Sequence, residues 1–318
     1  MSESLAADSL PPFLQPLKTS QANVDSSSSH LNATFTHHRF SRSAHVLWWP
    51  HTSSSSTILI FVPGNPGLLN FYIPFLASVH NKSNHTLPIL AHSHLGHTPG
   101  LGTGSSEDTS RLSLGLIAQV ESLLELIDAV KSVYSKVIIA GHSVGCWLTM
   151  QVLKERPELI QSIILLFPTI SHIKSTPNGQ NLARLFKPPF PSIISAASSL
   201  TRLIPSGLLS LMFSHWPPEQ VLVLRSLLNS PSCIYASLTM AHDEMETIQD
   251  LDVDTLRRYH HRIHLYFAEF DDWVGKEKKE ILRAFNPDED AVKIVHGRQD
   301  IPHAFCINHG EELASQCF

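Results

Sequence analysis

A chain of 318 residues, 42% hydrophobic and 16% charged, carries enough apolar mass for one large domain with a sizeable core. A net charge of −5 with histidine neutral, and no Lys/Arg run, argues against a nucleic-acid partner. The four cysteines (Cys146, Cys233, Cys306, Cys317) form no C-x-x-C pair and no disulfide framework, which sets aside zinc and dithiol chemistry and points to free thiols.

The N-terminal stretch MSESLAADSLPPFLQPLK lacks a basic segment followed by an apolar one, so no secretory signal is read there. SQANVDSSSSHLN is polar and Ser-rich. Residues 1–32 are therefore expected to be disordered, and the domain to occupy 33–318. ATFTHHRF and SAHVLWWP read as two short strands. TILIFVP is a continuous apolar, β-branched run, the pattern of a strand buried on both faces, and it ends in the turn cluster PGNPG. FYIPFLASVH begins a helix and LPILAHS is another short strand. Over 112–134, Leu116, Val120, Leu123, Ile127 and Val130 recur at intervals of three and four, one face of a helix. KVIIAG is a strand, VGCWLTMQVLKER a helix stopped by Pro157, and QSIILLFP the next strand. Residues from about 170 to 250 break this alternation with Pro, Ser and Leu, which reads as an inserted cap. The pattern resumes with HRIHLYFAEF, a helix over 275–285, AVKIVHG and a closing helix in HAFCINHGEELASQ. Strands alternating with helices predict an α/β fold with a mostly parallel central sheet flanked by helices and interrupted by a cap.

The chemistry starts at GHSVG, where a strand passes into a helix through Gly141, His142, Ser143, Val144 and Gly145. G-x-S-x-G in that context is a nucleophile elbow: small residues let two backbones approach, and the serine hydroxyl projects beside a helix N-terminus. A serine hydroxyl needs a base. In such a sheet the partners follow in the order acid, then histidine, each after a strand. Asp271 or Asp272 follows RIHLYFAEF; His296 or His303 follows AVKIV. His303 is preferred because it lies in a loop before the last helix and can reach back, whereas His296 lies almost on the strand. An oxyanion needs two backbone donors. Val144, just after the serine, supplies one; in PGNPG the other falls to Asn65 or a neighbouring glycine, since Pro66 has no N–H, and Asn65 is taken.

VPGNPGLLNFYIPFL, GHSVGCW, LLFPTISHIKSTPNGQNL and YFAEFDDWV with HAF together resemble the lipid droplet-associated hydrolase family, a branch of the α/β-hydrolases, over about residues 57–315. The block LFPTISHIKSTPNG is more specific than the elbow, because general α/β-hydrolases lack it. The resemblance implies an α/β-hydrolase fold with an inserted lid. It implies a catalytic Ser143, an acid at Asp271 in a D-x-W context, and a histidine at His303. It also implies action on neutral lipid esters, sterol esters among them, at the lipid droplet and the cytosolic face of the endoplasmic reticulum.

Residues 193–213, IISAASSLTRLIPSGLLSLMF, are apolar enough to suggest a segment lying in a lipid monolayer or an ordinary cap helix pair; Arg202, Pro205 and several serines argue against a spanning helix. Trp216 either sits at such an interface or packs. His92, His94 and His97 in HSHLGHT read as surface or hydrogen-bonded histidines rather than metal ligands. PGLGTG, with Gly100, Gly102 and Gly104, has no lysine after it and reads as a flexible loop rather than a phosphate cradle. The expectation is a serine hydrolase of lipid esters that needs no cofactor or metal. The rivals are an acyltransferase using the same nucleophile and a droplet-binding protein with a vestigial site.

Overall fold

In the computed structural model the described residues are 10–17, 29–52, 54–101, 114–285, 294–296 and 301–318. In chain order the strands are β1 (Gln15–Pro16), β2 (Leu31–His37), β3 (Arg42–Trp49), β4 (Thr57–Val62), β5 (Ile89–His92), β6 (Lys136–His142), β7 (Ile160–Leu166), β8 (Ile263–Phe267) and β9 (Ile294–His296). The helices outside the insertion are α1 (Ile73–Lys82), α2 (Leu116–Val130), α3 (Val144–Glu155), α10 (Glu277–Phe285) and α11 (Gly310–Cys317). Between β7 and β8 lie α4 (Pro177–Leu182), α5 (Phe190–Ser198), α6 (Ser206–Met212), α7 (Pro218–Leu228), α8 (Pro231–Thr247) and α9 (Val253–Arg258).

The sheet runs β1-β2-β3-β5-β4-β6-β7-β8-β9. The pairs from β1 through β3 to β5 are antiparallel, and from β5 to β9 every pair is parallel. β4 shows why its sequence is continuously apolar. Ile58, Ile60 and Val62 face one core layer while Leu59 and Phe61 face the other. α2, α3 and α10 cover the first face; α1 and α11 cover the second. Leu116, Leu123, Ile127 and Val130 of α2 are buried together, as their spacing predicts. The cysteines are free.

Two boundaries differ from the expectation. The ordered chain does not wait for residue 33: β2 starts at Leu31, and Gln15–Pro16 pairs along its open edge with Leu14 buried. The closing helix starts only at Gly310, after a run of turns from His303. Gly310 packs so tightly on α1 that a Cβ there would sit 2.9 Å from the Phe75 nitrogen. Residues 1–9 and 18–28, Gly102 and Gly104 lie outside the described residues.

The insertion enters and leaves the sheet at one place. The His172 N–H donates to the Gln249 carbonyl at 2.8 Å. The apolar run 193–213 is not one helix: it breaks into α5, a 3-10 turn over Ser199–Leu203, and α6 after Pro205. Among the described residues no single helix is long and apolar enough to cross a membrane; α7 and α8 together reach the length, bent by 87°. Trp216 packs, with its ring 4.9 Å from Phe213 and edge-on to Phe71.

Candidate active site

β6 delivers the chain to Ser143 in a conformation that side-chain-bearing residues rarely adopt, φ 54° and ψ −123°. The flanking glycines make this turn possible. A Cβ on Gly141 would lie 2.6 Å from the Gly145 carbonyl oxygen, and one on Gly145 would lie 2.3 Å from that of Val62. The helix α3 begins at Val144, so its first N–H groups have no partner within the helix. On the other side the PGNPG loop presses on the serine: a Cβ on Gly64 would sit 3.0 Å from the Ser143 Cβ.

The loops after β8 and β9 bring two further groups to this elbow. Ser143 Oγ lies 3.0 Å from His303 Nε2, and His303 Nδ1 lies 2.8 Å from Asp271 Oδ2. A carboxylate at Nδ1 places the ring proton there, which leaves Nε2 free to accept from the serine hydroxyl. The other Asp271 oxygen accepts the Trp273 N–H at 2.9 Å. The Asp271 side chain is 5% exposed and that of His303 16%. Asp272 is exposed, and what it contributes is its carbonyl, which accepts from the Asn178 N–H at 3.0 Å. The geometry therefore separates the adjacent aspartates, which spacing left open. Of His296 the described part is the backbone, paired with Phe267.

The block TPNG braces this acid loop. Thr176 caps α4 by accepting from the Gly179 N–H, Pro177 opens the helix, and Gly179 fits where a Cβ would collide with the Ile173 carbonyl at 2.0 Å. Asn178 then meets Asp272 across the gap.

A second set of contacts was not legible in the sequence. The Gly64 N–H donates to Tyr72 Oη at 3.1 Å, Tyr72 Oη donates to His142 Nδ1 at 2.8 Å, and His142 Nε2 donates to the His303 carbonyl at 3.0 Å. His142 is buried, and burial followed by the neighbouring His303 holds its pKa well below the usual histidine value. It is a neutral strut between the PGNPG loop and the histidine loop. His94 Nε2 donates to the Pro63 carbonyl at 3.0 Å, and His97 Nδ1 to the Pro66 carbonyl at 2.7 Å. Burial pushes their pKa values down to about 3 and about 4. His92 is buried against His37, with Nε2 atoms 2.9 Å apart. None of these histidines lies on the surface. Asn65 reaches the insertion: its Nδ2 donates to the Glu244 carboxylate at 2.8 Å and to the Ser237 carbonyl at 2.9 Å.

The family described as lipid-droplet associated hydrolase matches residues 55–306 of this chain. The lipid droplet-associated hydrolase of Pongo abelii is 30% identical over 272 residues, covering 81% of this chain and 82% of the relative. That of Drosophila melanogaster is 25% identical over 281 residues, covering 84% and 89%. Among solved structures, a bacterial membrane phospholipase A superposes with a TM-score of 0.63 at 13% identity over 90% of this chain and 84% of that one. The haloalkane dehalogenase DatA from Agrobacterium tumefaciens C58 superposes with a TM-score of 0.63 at 13% identity, over 91% and 94%. At such identities the superpositions speak for the α/β-hydrolase fold alone.

Proposed function

Because this chain belongs to the lipid-droplet associated hydrolase family, we propose that it is a serine esterase of neutral lipid esters, sterol esters included, acting at the lipid droplet and endoplasmic reticulum surface. The observation that carries this reading is the hydrogen-bonded chain Ser143–His303–Asp271 set on a positive-φ elbow. Ser143 Oγ attacks the ester carbonyl carbon while His303 Nε2 takes its proton. Asp271 holds the imidazole in orientation and stabilises its cation. The developing oxyanion takes the main-chain N–H groups of Val144, which follows the serine, and of Asn65, next to the Gly64 that lies against the serine. His303 then protonates the leaving alcohol, and water resolves the acyl-enzyme by the same route.

Residues 190–213 support action at a lipid surface. Phe190, Ile193, Leu200, Leu203, Leu208, Leu211 and Met212 are exposed, Leu203 at 80% and Leu211 at 71%. Apolar side chains gathered on one segment suit a lipid monolayer better than water. A short-helix hairpin dipping into a monolayer needs no spanning helix.

The test is labelling of the purified protein with a fluorophosphonate probe, with and without a neutral-lipid emulsion, followed by hydrolysis of emulsified cholesteryl and acylglycerol esters. Labelling of the wild type and none of Ser143→Ala supports the esterase. Equal labelling of both, or none of either, overturns it and leaves a lipid-surface protein. Release of free fatty acid, rather than transfer to an added sterol or glycerolipid, separates hydrolysis from acyl transfer.

A further inference from the structure

Asn65 is gripped from outside the sheet. Ser237 and Glu244 are seven residues apart on α8, two turns along one face, and both present acceptors to the same amide nitrogen. Two acceptors at one end fix which end of the amide carries its hydrogens. The opposite end, Oδ1, is buried with no hydrogen-bond partner among the described residues. Glu244 is itself 5% exposed, and its acidic neighbour Asp243 adds no compensation. Among the described residues no salt bridge reaches it. Burial accordingly pushes its carboxyl up to about 7. A buried carboxyl against a half-satisfied buried amide is a poor way to hold two elements together; an apolar pair would pack as well. What the polar pair adds is orientation. The carbonyls of Pro63 and Pro66 are pinned by His94 and His97 and the Gly64 N–H by Tyr72, all from the sheet side, so the Asn65 side chain is the handle that the insertion has on that stretch of loop.

We infer that Glu244, together with the Ser237 carbonyl, is a positioning residue: from α8 it holds the Asn65 side chain so that the Asn65 main-chain N–H stays aimed at the oxyanion beside Ser143. This rests on Asn65 serving as an oxyanion donor, and it makes the insertion part of the catalytic geometry rather than a cover alone. Removing the grip costs transition-state stabilisation more than substrate binding.

The experiment compares wild type, Glu244→Ala and Glu244→Gln by two readouts: hydrogen–deuterium exchange of the peptide spanning 62–72, and kcat and KM on a short-chain p-nitrophenyl ester. Glu244→Ala should speed exchange in that peptide by at least about 5-fold. It should lower kcat by about 10–100-fold with KM within about 3-fold. Glu244→Gln keeps an acceptor for the amide and should restore both to within about 3-fold of wild type. Should Glu244→Ala fail to fold by circular dichroism, Asn65→Ala cuts the same two bonds, keeps the main-chain N–H and carries the same expectations. Unchanged exchange and kcat in the alanine variant, or a glutamine variant as impaired as alanine, overturns the inference. A wild type that hydrolyses nothing would sink the esterase reading instead, and the exchange of 62–72 would still decide whether Glu244 holds the loop.

Discussion

The sheet and the insertion treat apolar residues in opposite ways. In β4, β6 and β7 nearly every aliphatic side chain is buried between two helical layers. From α5 through the 3-10 turn to α6, Leu200, Leu203, Leu211 and Met212 stand in solvent, while Leu209 is buried. Polar residues are buried in both. The insertion buries Glu244 and Gln220, while the sheet's carboxyl edge buries Asp271, His142, His94 and His97 around one serine. The difference teaches where rigidity and reach reside. The Ser143–His303–Asp271 geometry hangs on the ends of strands that cannot move without opening the core, and the exposed apolar side chains fall on short helices joined by prolines and turns.

Ser143→Ala breaks the sheet half outright and should reduce kcat/KM by about 10⁵–10⁶-fold, read as fatty acid release against a short-chain ester. Asp271→Asn leaves the shape and removes the charge that orients His303, and should cost about 10³–10⁴-fold in kcat. Asp272→Asn, one residue on, should stay within about 2-fold, because its side chain is exposed and its carbonyl does the bonding. Changing Leu200, Leu203, Leu211 and Met212 to serine tests the insertion half. Emulsion binding measured by flotation should weaken about 10–100-fold while hydrolysis of a soluble ester changes by less than about 2-fold. Equal loss of both activities would mean that the two halves are not separable.

A further expected effect is on stability against pH. Burial lowers the pKa values of His37, His45 and His97 to about 4 and of His94 to about 3, from an ordinary 6.5. The folded state keeps these rings neutral, so their contribution is complete above pH 6.5 and is lost as pH falls toward 4. Glu244 acts in the opposite sense, because its raised pKa makes the folded state hold a proton between 4.5 and 7. The denaturation midpoint should therefore fall on going from pH 7.5 to 4.5, and more steeply in Glu244→Gln than in wild type.

Much of this architecture can be read from the sequence, because it depends on local pattern. Strand ends are visible as apolar runs meeting turn clusters, and Ser143, Asp271 and His303 all follow such ends. The supports are different. HSHLGHT looks like a loop of surface or hydrogen-bonded histidines; its rings turn out to be buried, two of them donating to carbonyls of PGNPG 31 residues earlier. Glu244 sits in AHDEMET, where a carboxylate reads as a solvated helix face, and only the docking of α8 on Asn65 buries it. Gln15–Pro16 adds a strand because β2 offers an open edge, a fact of sheet order rather than of composition.

The bond from the His172 N–H to the Gln249 carbonyl draws together the two ends of the segment that carries α4 to α8. Whatever lies between those ends can be lengthened, shortened or exchanged without shifting the register of β7 and β8. Relatives sharing this sheet are thus free to remodel the segment between those ends, provided that its contacts with the sheet loops are kept: Asn178 on Asp272, Gln220 on the Phe71 and Cys306 carbonyls, and the face of α8 that meets Asn65.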